Sequence, residues 1–242
     1  MIRNHLCFYD FETCSKDKYT TQPCQLSAVI IDLRKLEVIE ESEFDSIIKP
    51  IADDAKAVKE GFGPIEDEAL KINGHTREEL AKGPELKIVW GQFQEYLKKY
   101  NLKGKTGGKW DSPIPAGFNN RNFDDVIIKR LCDKFGPKPD DFGGWGIFHP
   151  MYNFDLFQEI QTKFFFTSFN GSQSMSFDTL REYFGYKKEG AHNSLIDCIQ
   201  GADLLIRILR LNKSVINGDL LVCPECDYKK KIKFENCVGG KI

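Results

Sequence analysis

Asp10 and Glu12 alternate along a short apolar run, Leu6-Cys7-Phe8-Tyr9-Asp10-Phe11-Glu12, and on an extended chain both project from one face. Leu6 and Phe8 share that face, so the strand packs inward and then ends in two carboxylates. Like charges crowded together with little water either raise their pKa values or recruit a cation, and hard oxygen donors suit Mg²⁺ or Mn²⁺. A strand that simply runs out into solvent would also show Asp-x-Glu, so this pair alone decides nothing. A second acid, Asp124, closes Ala116-Gly117-Phe118-Asn119-Asn120-Arg121-Asn122-Phe123-Asp124, where a strand pattern stops and a helical one begins. Its carboxylate either points across the strand ends or, with Asn122 as a cap, merely favours the positive helix terminus. The third group is His192 and Asp197 at the opening of the last helix. Five residues span about 140° beyond a full helical turn, so His192 belongs to the preceding loop. An imidazole with an ordinary pKa of about 6.5 suits a base working near neutral pH. Ser194-x-x-Asp197 also reads as a variant capping box.

Bringing these groups together requires a sheet and helices around it. Strand patterns lie at 5–12, 26–33 and 43–49, the makings of a meander, with another short strand at 114–118. Leu86, Val89, Trp90, Phe93 and Leu97 mark a helix over 86–100, following a stretch punctuated by Gly61, Gly63 and Pro64. Ile127, Ile128, Leu131 and Phe135 mark the buried face of another, ended by Gly136-Pro137. After a Gly- and aromatic-rich loop over 142–150, helical patterns cover 155–163 and 177–184. Leu195, Ile199, Ala202, Ile206 and Leu209 recur at helical spacing and predict one apolar stripe on the last helix.

Taken together, Asp10-Phe11-Glu12-Thr13, Asn120-x-x-Phe123-Asp124 and His192-x-x-x-x-Asp197 resemble the three motifs of the DnaQ-like DEDDh 3′→5′ exonucleases, in that family's order. Glu68-Ala69-Leu70 with Asn73-Gly74-His75-Thr76, and Ser176-Phe177-Asp178-Thr179-Leu180 with Phe184-Gly185, extend the resemblance over roughly residues 5–211. It implies an α/β, ribonuclease-H-like fold, a mixed central sheet flanked by helices, with the acids meeting at the strand ends. The activity it implies is metal-dependent hydrolysis of single-stranded DNA or RNA from the 3′ end, DNA favoured, releasing nucleoside 5′-monophosphates. Two Mg²⁺ or Mn²⁺ ions belong to that picture: Asp10, Glu12 and Asp197 hold one, Asp10 reaches the other, and Asp124 supports the site. His192 then takes the proton of the attacking water. Phe11, Thr13, Asn120 and Phe123 are the candidates for contact with the terminal nucleotide, with core packing the alternative for Phe11 and Phe123. There are departures: Asn119 stands where the family commonly has histidine, Ser194 where it has alanine, and the 142–150 loop is enlarged. The sister subfamily with a catalytic tyrosine is disfavoured, because Asn193 occupies that tyrosine's place.

The 242 residues, 41% of them hydrophobic, can bury a large core, and the composition suggests a domain over 1–212 followed by a tail over 213–242. In the tail Cys223-Pro224-Glu225-Cys226 is a zinc knuckle and Cys237 follows a basic stretch, a zinc-ribbon-like arrangement for one structural Zn²⁺. Three thiolates leave a fourth ligand to find in Asp227, a distant histidine or a partner chain; metal-free cysteines fit the same pattern. Net charge of −2 excludes a generally basic nucleic-acid binder, so contact would fall to local groups such as Lys103, Lys105, Lys109 and Trp110, or to the metals. The opening residues carry no long apolar core and no apolar run spans a bilayer, which predicts a soluble, cytoplasmic chain with reduced cysteines and no membrane partner. Proofreading would need a polymerase or other replication partner as a separate chain, and oligomeric state is not encoded in these patterns. The alternatives are a non-catalytic nucleic-acid-binding module, a polymerase-associated accessory subunit of the same fold, and a ribonuclease-H-like endonuclease.

Overall fold

A computed structural model describes residues 4–104, 108–137, 146–164, 175–187 and 193–217. Among these residues six strands form one mixed sheet: β1 (Leu6–Thr13), β2 (Pro23–Asp32), β3 (Glu37–Val38), β4 (Phe44–Ile47), β5 (Ile114–Gly117) and β6 (Phe154–Asp155). Their order is β3-β2-β1-β5-β6, with β4 also paired to β2. β1 and β2 run antiparallel from Leu6 opposite Ile31 to Glu12 opposite Gln25, whereas β5 and β6 are parallel to β1 and to each other. Both central strands are buried over almost their whole lengths, which is why their apolar residues occupy both faces.

Among the described residues the helices are α1 (Asp54–Lys59), α2 (Asp67–Ile72), α3 (Arg77–Leu80), α4 (Leu86–Lys99), α5 (Asp124–Phe135), α6 (Leu156–Phe164), α7 (Phe177–Tyr183) and α8 (Ser194–Asn217). Period-two alternation divides β1 between two cores. Cys7, Tyr9 and Phe11 pack with Val89, Trp90 and Phe93 of α4 and Ile127, Ile128 and Leu131 of α5. Leu6 and Phe8 pack on the other side with Leu156 and Ile160 of α6, Leu180 of α7 and Cys198, Ala202 and Leu205 of α8. The mixed sheet with helices on both faces is the fold that the motifs implied. No described helix is long and apolar enough to cross a membrane.

Four details differ from the sequence patterns. β2 begins at Pro23 rather than at 26. The glycine- and proline-punctuated stretch contains α1, α2 and α3, too short to show a periodicity but marked by caps: Asp53 accepts from the Lys56 N–H at 2.7 Å and Thr76 from the Glu79 N–H at 3.1 Å. On α8 Leu195, Ala202, Ile206 and Leu209 of the expected stripe pack against the core while Ile199 is exposed, and the buried side also carries Ser194, Cys198, Gly201 and Leu205. Small side chains there let the helix approach closely enough for the Cys198 thiol to donate to the Ser27 carbonyl at 3.3 Å. The helix also runs unbroken through position 212 to Asn217, across the change in composition.

Gly201 is the closest point of that approach: a Cβ there would sit 2.4 Å from the Phe8 ring, which is itself buried. Gly201→Val should therefore destabilise the chain by about 1–3 kcal/mol through overpacking, read as a lower midpoint in urea; an unchanged midpoint would show that α8 is free to move off the sheet.

Candidate active site

β1 carries Asp10 and Glu12 to its C-terminal end on the α8 side, and the pairing with β2 shifts register between Glu12 and Thr13, where the strand ends. α8 starts opposite them. Asn193 caps it, its side-chain oxygen accepting from the N–H groups of Leu195 at 3.2 Å and Ile196 at 3.3 Å, while the Ser194 hydroxyl donates to the Asp10 carbonyl at 3.2 Å. Asn193, not Ser194, is thus the cap, and Asp197 in the first turn is left to face the strand. Carboxylate oxygens of Asp10, Glu12 and Asp197 lie within 4.8 Å of one another.

Asp124 arrives from the opposite layer. β5 ends at Gly117, where an added Cβ would fall 2.7 Å from that of Asn120, and Asn119 then turns the chain with φ of 56°. Asparagine is among the few residues that tolerate this left-handed conformation. The turn starts α5 with Asp124 buried and its Oδ1 accepting from the Phe11 N–H at 3.0 Å, between the two acids of β1. Asn122 does not cap this helix; its amide donates to Asn119 at 2.9 Å.

Two charged residues that no motif singled out stand behind the acids. Asp125 is buried and accepts from the Tyr9 hydroxyl, from Asn120 at 3.2 Å and from Asn153 at 2.7 Å. Arg181 is buried on α7 and donates to Asp197. Their signal in the sequence is a charge at a helical position whose neighbours one turn away, Ile128 for Asp125 and Phe177 for Arg181, are apolar.

The four nucleotide-contact candidates sit in different environments. Asn120 is fully buried and its amide is shared between Asp125 and Asn153, behind the acids. Phe11 belongs to the core and meets Tyr9 edge to face, and buried Thr13 donates its hydroxyl to the Ser15 carbonyl at 2.9 Å. Phe123 is partly buried against the same core. Trp110 is exposed with the Lys109 ammonium 5.9 Å from its ring centroid. His192, Lys105, Cys223, Cys226 and Cys237 lie outside the described residues, as do positions 142–145 of the aromatic loop.

Burial and mutual repulsion dominate the electrostatics. Desolvation, followed by the charge of Asp197, pushes the Asp10 carboxyl up to about 7 against the pull of Arg181. Desolvation and then Asp10 push Glu12 up to about 10, and burial with the charge of Asp10 raises Asp124. Convergent carboxylates that resist ionisation fit hard divalent cations, which restore the charged forms and supply the missing countercharge.

The exonuclease family model matches residues 7–106, a span that includes Asp10 and Glu12 and stops short of Asp124 and Asp197. Among solved structures, exonuclease I of E. coli in complex with a dT13 oligonucleotide superposes with TM-score 0.63 at 20% identity, over 90% of this chain and 43% of that one. Exonuclease I of Methylocaldum szegediense gives 0.61 at 18% identity, over 88% and 41%. Cell-death related nuclease 4 gives 0.60 at 17% identity, over 86% and 64%. The chain therefore spans less than half of either exonuclease I chain, and at these identities the likeness is one of fold. No curated protein matches the sequence.

A carboxyl whose pKa is raised by folding keeps a proton that the unfolded chain releases. Its stabilising contribution is fully present below the unfolded value of about 4 and is lost as pH rises through the folded value, about 7 for Asp10. The chain stripped of metal should accordingly melt at a lower temperature at pH 8 than at pH 5.5, and Mn²⁺ should close that gap. Higher metal-free stability at pH 8 would contradict the crowding of these acids.

Proposed function

We propose that this chain, whose DnaQ-like exonuclease domain has the ribonuclease-H-like fold, removes nucleotides one at a time from the 3′ end of single-stranded nucleic acid, DNA in preference to RNA. The observation that carries this reading is the convergence of Asp10, Glu12 and Asp197 within 4.8 Å where β1 meets α8, with Asp124 tied to the same strand. When bound, two Mg²⁺ or Mn²⁺ ions supply the charge that stabilises the entering and leaving oxygens of an in-line displacement at phosphorus.

The chain's own residues do the rest. β1 fixes Asp10 and Glu12 on one face, the Phe11 N–H orients Asp124, and α8 presents Asp197 from a capped first turn. Burial keeps bulk water from screening these groups, which strengthens their hold on a cation. His192 takes the proton of the attacking water, a role supported by its place five residues before Asp197 in the motif. The oligonucleotide complexes of exonuclease I support single-stranded DNA as substrate. A reducing, cytoplasmic setting is supported by Cys7, Cys14, Cys24, Cys132 and Cys198, all free thiols buried in the fold. A purely nucleic-acid-binding module would gain nothing from a crowded acid cluster.

A 5′-labelled oligonucleotide with Mg²⁺ or Mn²⁺ should shorten to a ladder, a labelled mononucleotide should not appear first, and a circular strand should survive. Asp10→Asn should abolish the ladder with the fold intact, and His192→Ala should bind the oligonucleotide yet cleave it roughly 10²–10⁴-fold more slowly. Cutting of the circle would make the chain an endonuclease, and a fully active Asp10→Asn would remove the cluster from the reaction. For the tail, Cys223, Cys226 and Cys237 should hold about one zinc per chain, lost on replacing Cys223 and Cys226 by serine; reduced, metal-replete protein without zinc would refute that site.

A further inference from the structure

Arg181 is 1% exposed, and each nitrogen of its guanidinium is engaged. Nε donates to Gln200 at 2.8 Å, Nη1 to Asp178 at 2.6 Å and Nη2 to Oδ1 of Asp197, while the group lies 4.2 Å from the centroid of the Phe177 ring. Asp197 and Gln200 belong to the first turns of α8, Asp178 and Phe177 to the first turn of α7. One planar cation thus joins the start of one helix to the start of the other at the carboxylate that completes the acid cluster.

We infer that Arg181 is a positioning residue for that cluster, setting the orientation in which Asp197 meets a cation alongside Asp10 and Glu12. The inference rests on the reading of the cluster as a metal site. Stability alone is the weaker account of this arginine, because a buried ion pair is often matched or bettered by well-packed apolar side chains of similar volume. Its geometry is specific: three directions of hydrogen bonding in one plane are what a guanidinium offers and an ammonium does not. A residue next to a ligand that fixes the ligand's orientation typically changes metal affinity or activity by about 10–100-fold when removed.

Charge and position pull in opposite directions here, which makes the inference testable. If Arg181 only neutralised the acids, deleting it would remove a repelling charge and tighten binding of a divalent cation. If it positions Asp197, deleting it weakens binding. Mn²⁺ titration of the full chain without nucleic acid, followed by electron paramagnetic resonance, should show Arg181→Gln weaker by about 10–100-fold. The same variant should lose kcat on an oligonucleotide at saturating Mn²⁺ with KM little changed. Arg181→Lys should not restore either property, whereas millimolar guanidinium added to Arg181→Ala should recover part of both. Asp178→Asn disturbs a half-exposed partner of the guanidinium, leaves the fold intact, and should weaken Mn²⁺ binding in the same direction by less. Tighter or unchanged Mn²⁺ binding in Arg181→Gln overturns the inference; if that variant does not fold, unchanged binding in Asp178→Asn overturns it. A wild-type chain that binds Mn²⁺ but degrades no oligonucleotide would instead refute the nuclease reading, and the Mn²⁺ titrations would still decide the role of Arg181.

Discussion

Carboxylates gathered at the end of a buried strand repel one another, and much of this structure can be understood as what holds Asp10, Glu12, Asp124 and Asp197 together. At separations near 5 Å and an effective dielectric of about 20, each ionised pair costs roughly 3–4 kcal/mol. A hydrogen bond to a charged group returns only about 1.5–3 kcal/mol. The Phe11 N–H on Asp124 and the Arg181 guanidinium on Asp197 therefore fix geometry without balancing the charge. Without a cation the cluster relieves itself by holding protons, which is the meaning of the raised carboxyls of Asp10 and Glu12. A divalent ion displaces those protons and takes their place.

The fold pins each acid by backbone. β1 sits between β2 and β5 with apolar side chains on both faces, so Asp10 and Glu12 cannot turn away without unpacking Leu6 and Phe8 from α8. α8 is brought down onto the strands by Gly201 and Ala202, and its capped first turn delivers Asp197. Asp124 comes from α5 on the far side of the sheet through the Asn119 turn, with Asp125, Asn120, Tyr9 and Asn153 forming a polar support beneath it. The site thus draws on both helical layers and the strand between them.

Much of this was legible in the sequence because it depends on local periodicity and order. Alternation placed Asp10 and Glu12 on the face of Leu6 and Phe8, and the strand-to-helix change before Asp124 is where the chain crosses the sheet end. The long helices α4 and α5 showed their apolar faces for the same reason. What escaped depends on contacts between distant segments. Whether Ile199 or Cys198 turns inward on α8 is settled by how closely β1 and β2 approach, a matter of side-chain volume that hydropathy does not encode. Asn120, which a motif offers for nucleotide contact, hydrogen-bonds Asp125 in a direction set by a turn whose φ cannot be read from residue type. Arg181 and Asp125 take their roles from partners on other elements, Asp197 of α8 for the one and Tyr9 of β1 for the other.

The central claim is that Asp10 and Glu12 of β1 and Asp197 of α8, encoded far apart, make one cation site. Crystals soaked in MnCl₂ and measured at the manganese absorption edge test it most directly. An anomalous peak about 2.1 Å from carboxylate oxygens of Asp10, Glu12 and Asp197, with a second peak bridged by Asp10, is the predicted result. Ordered carboxylates with no anomalous density between them at saturating Mn²⁺ would contradict it.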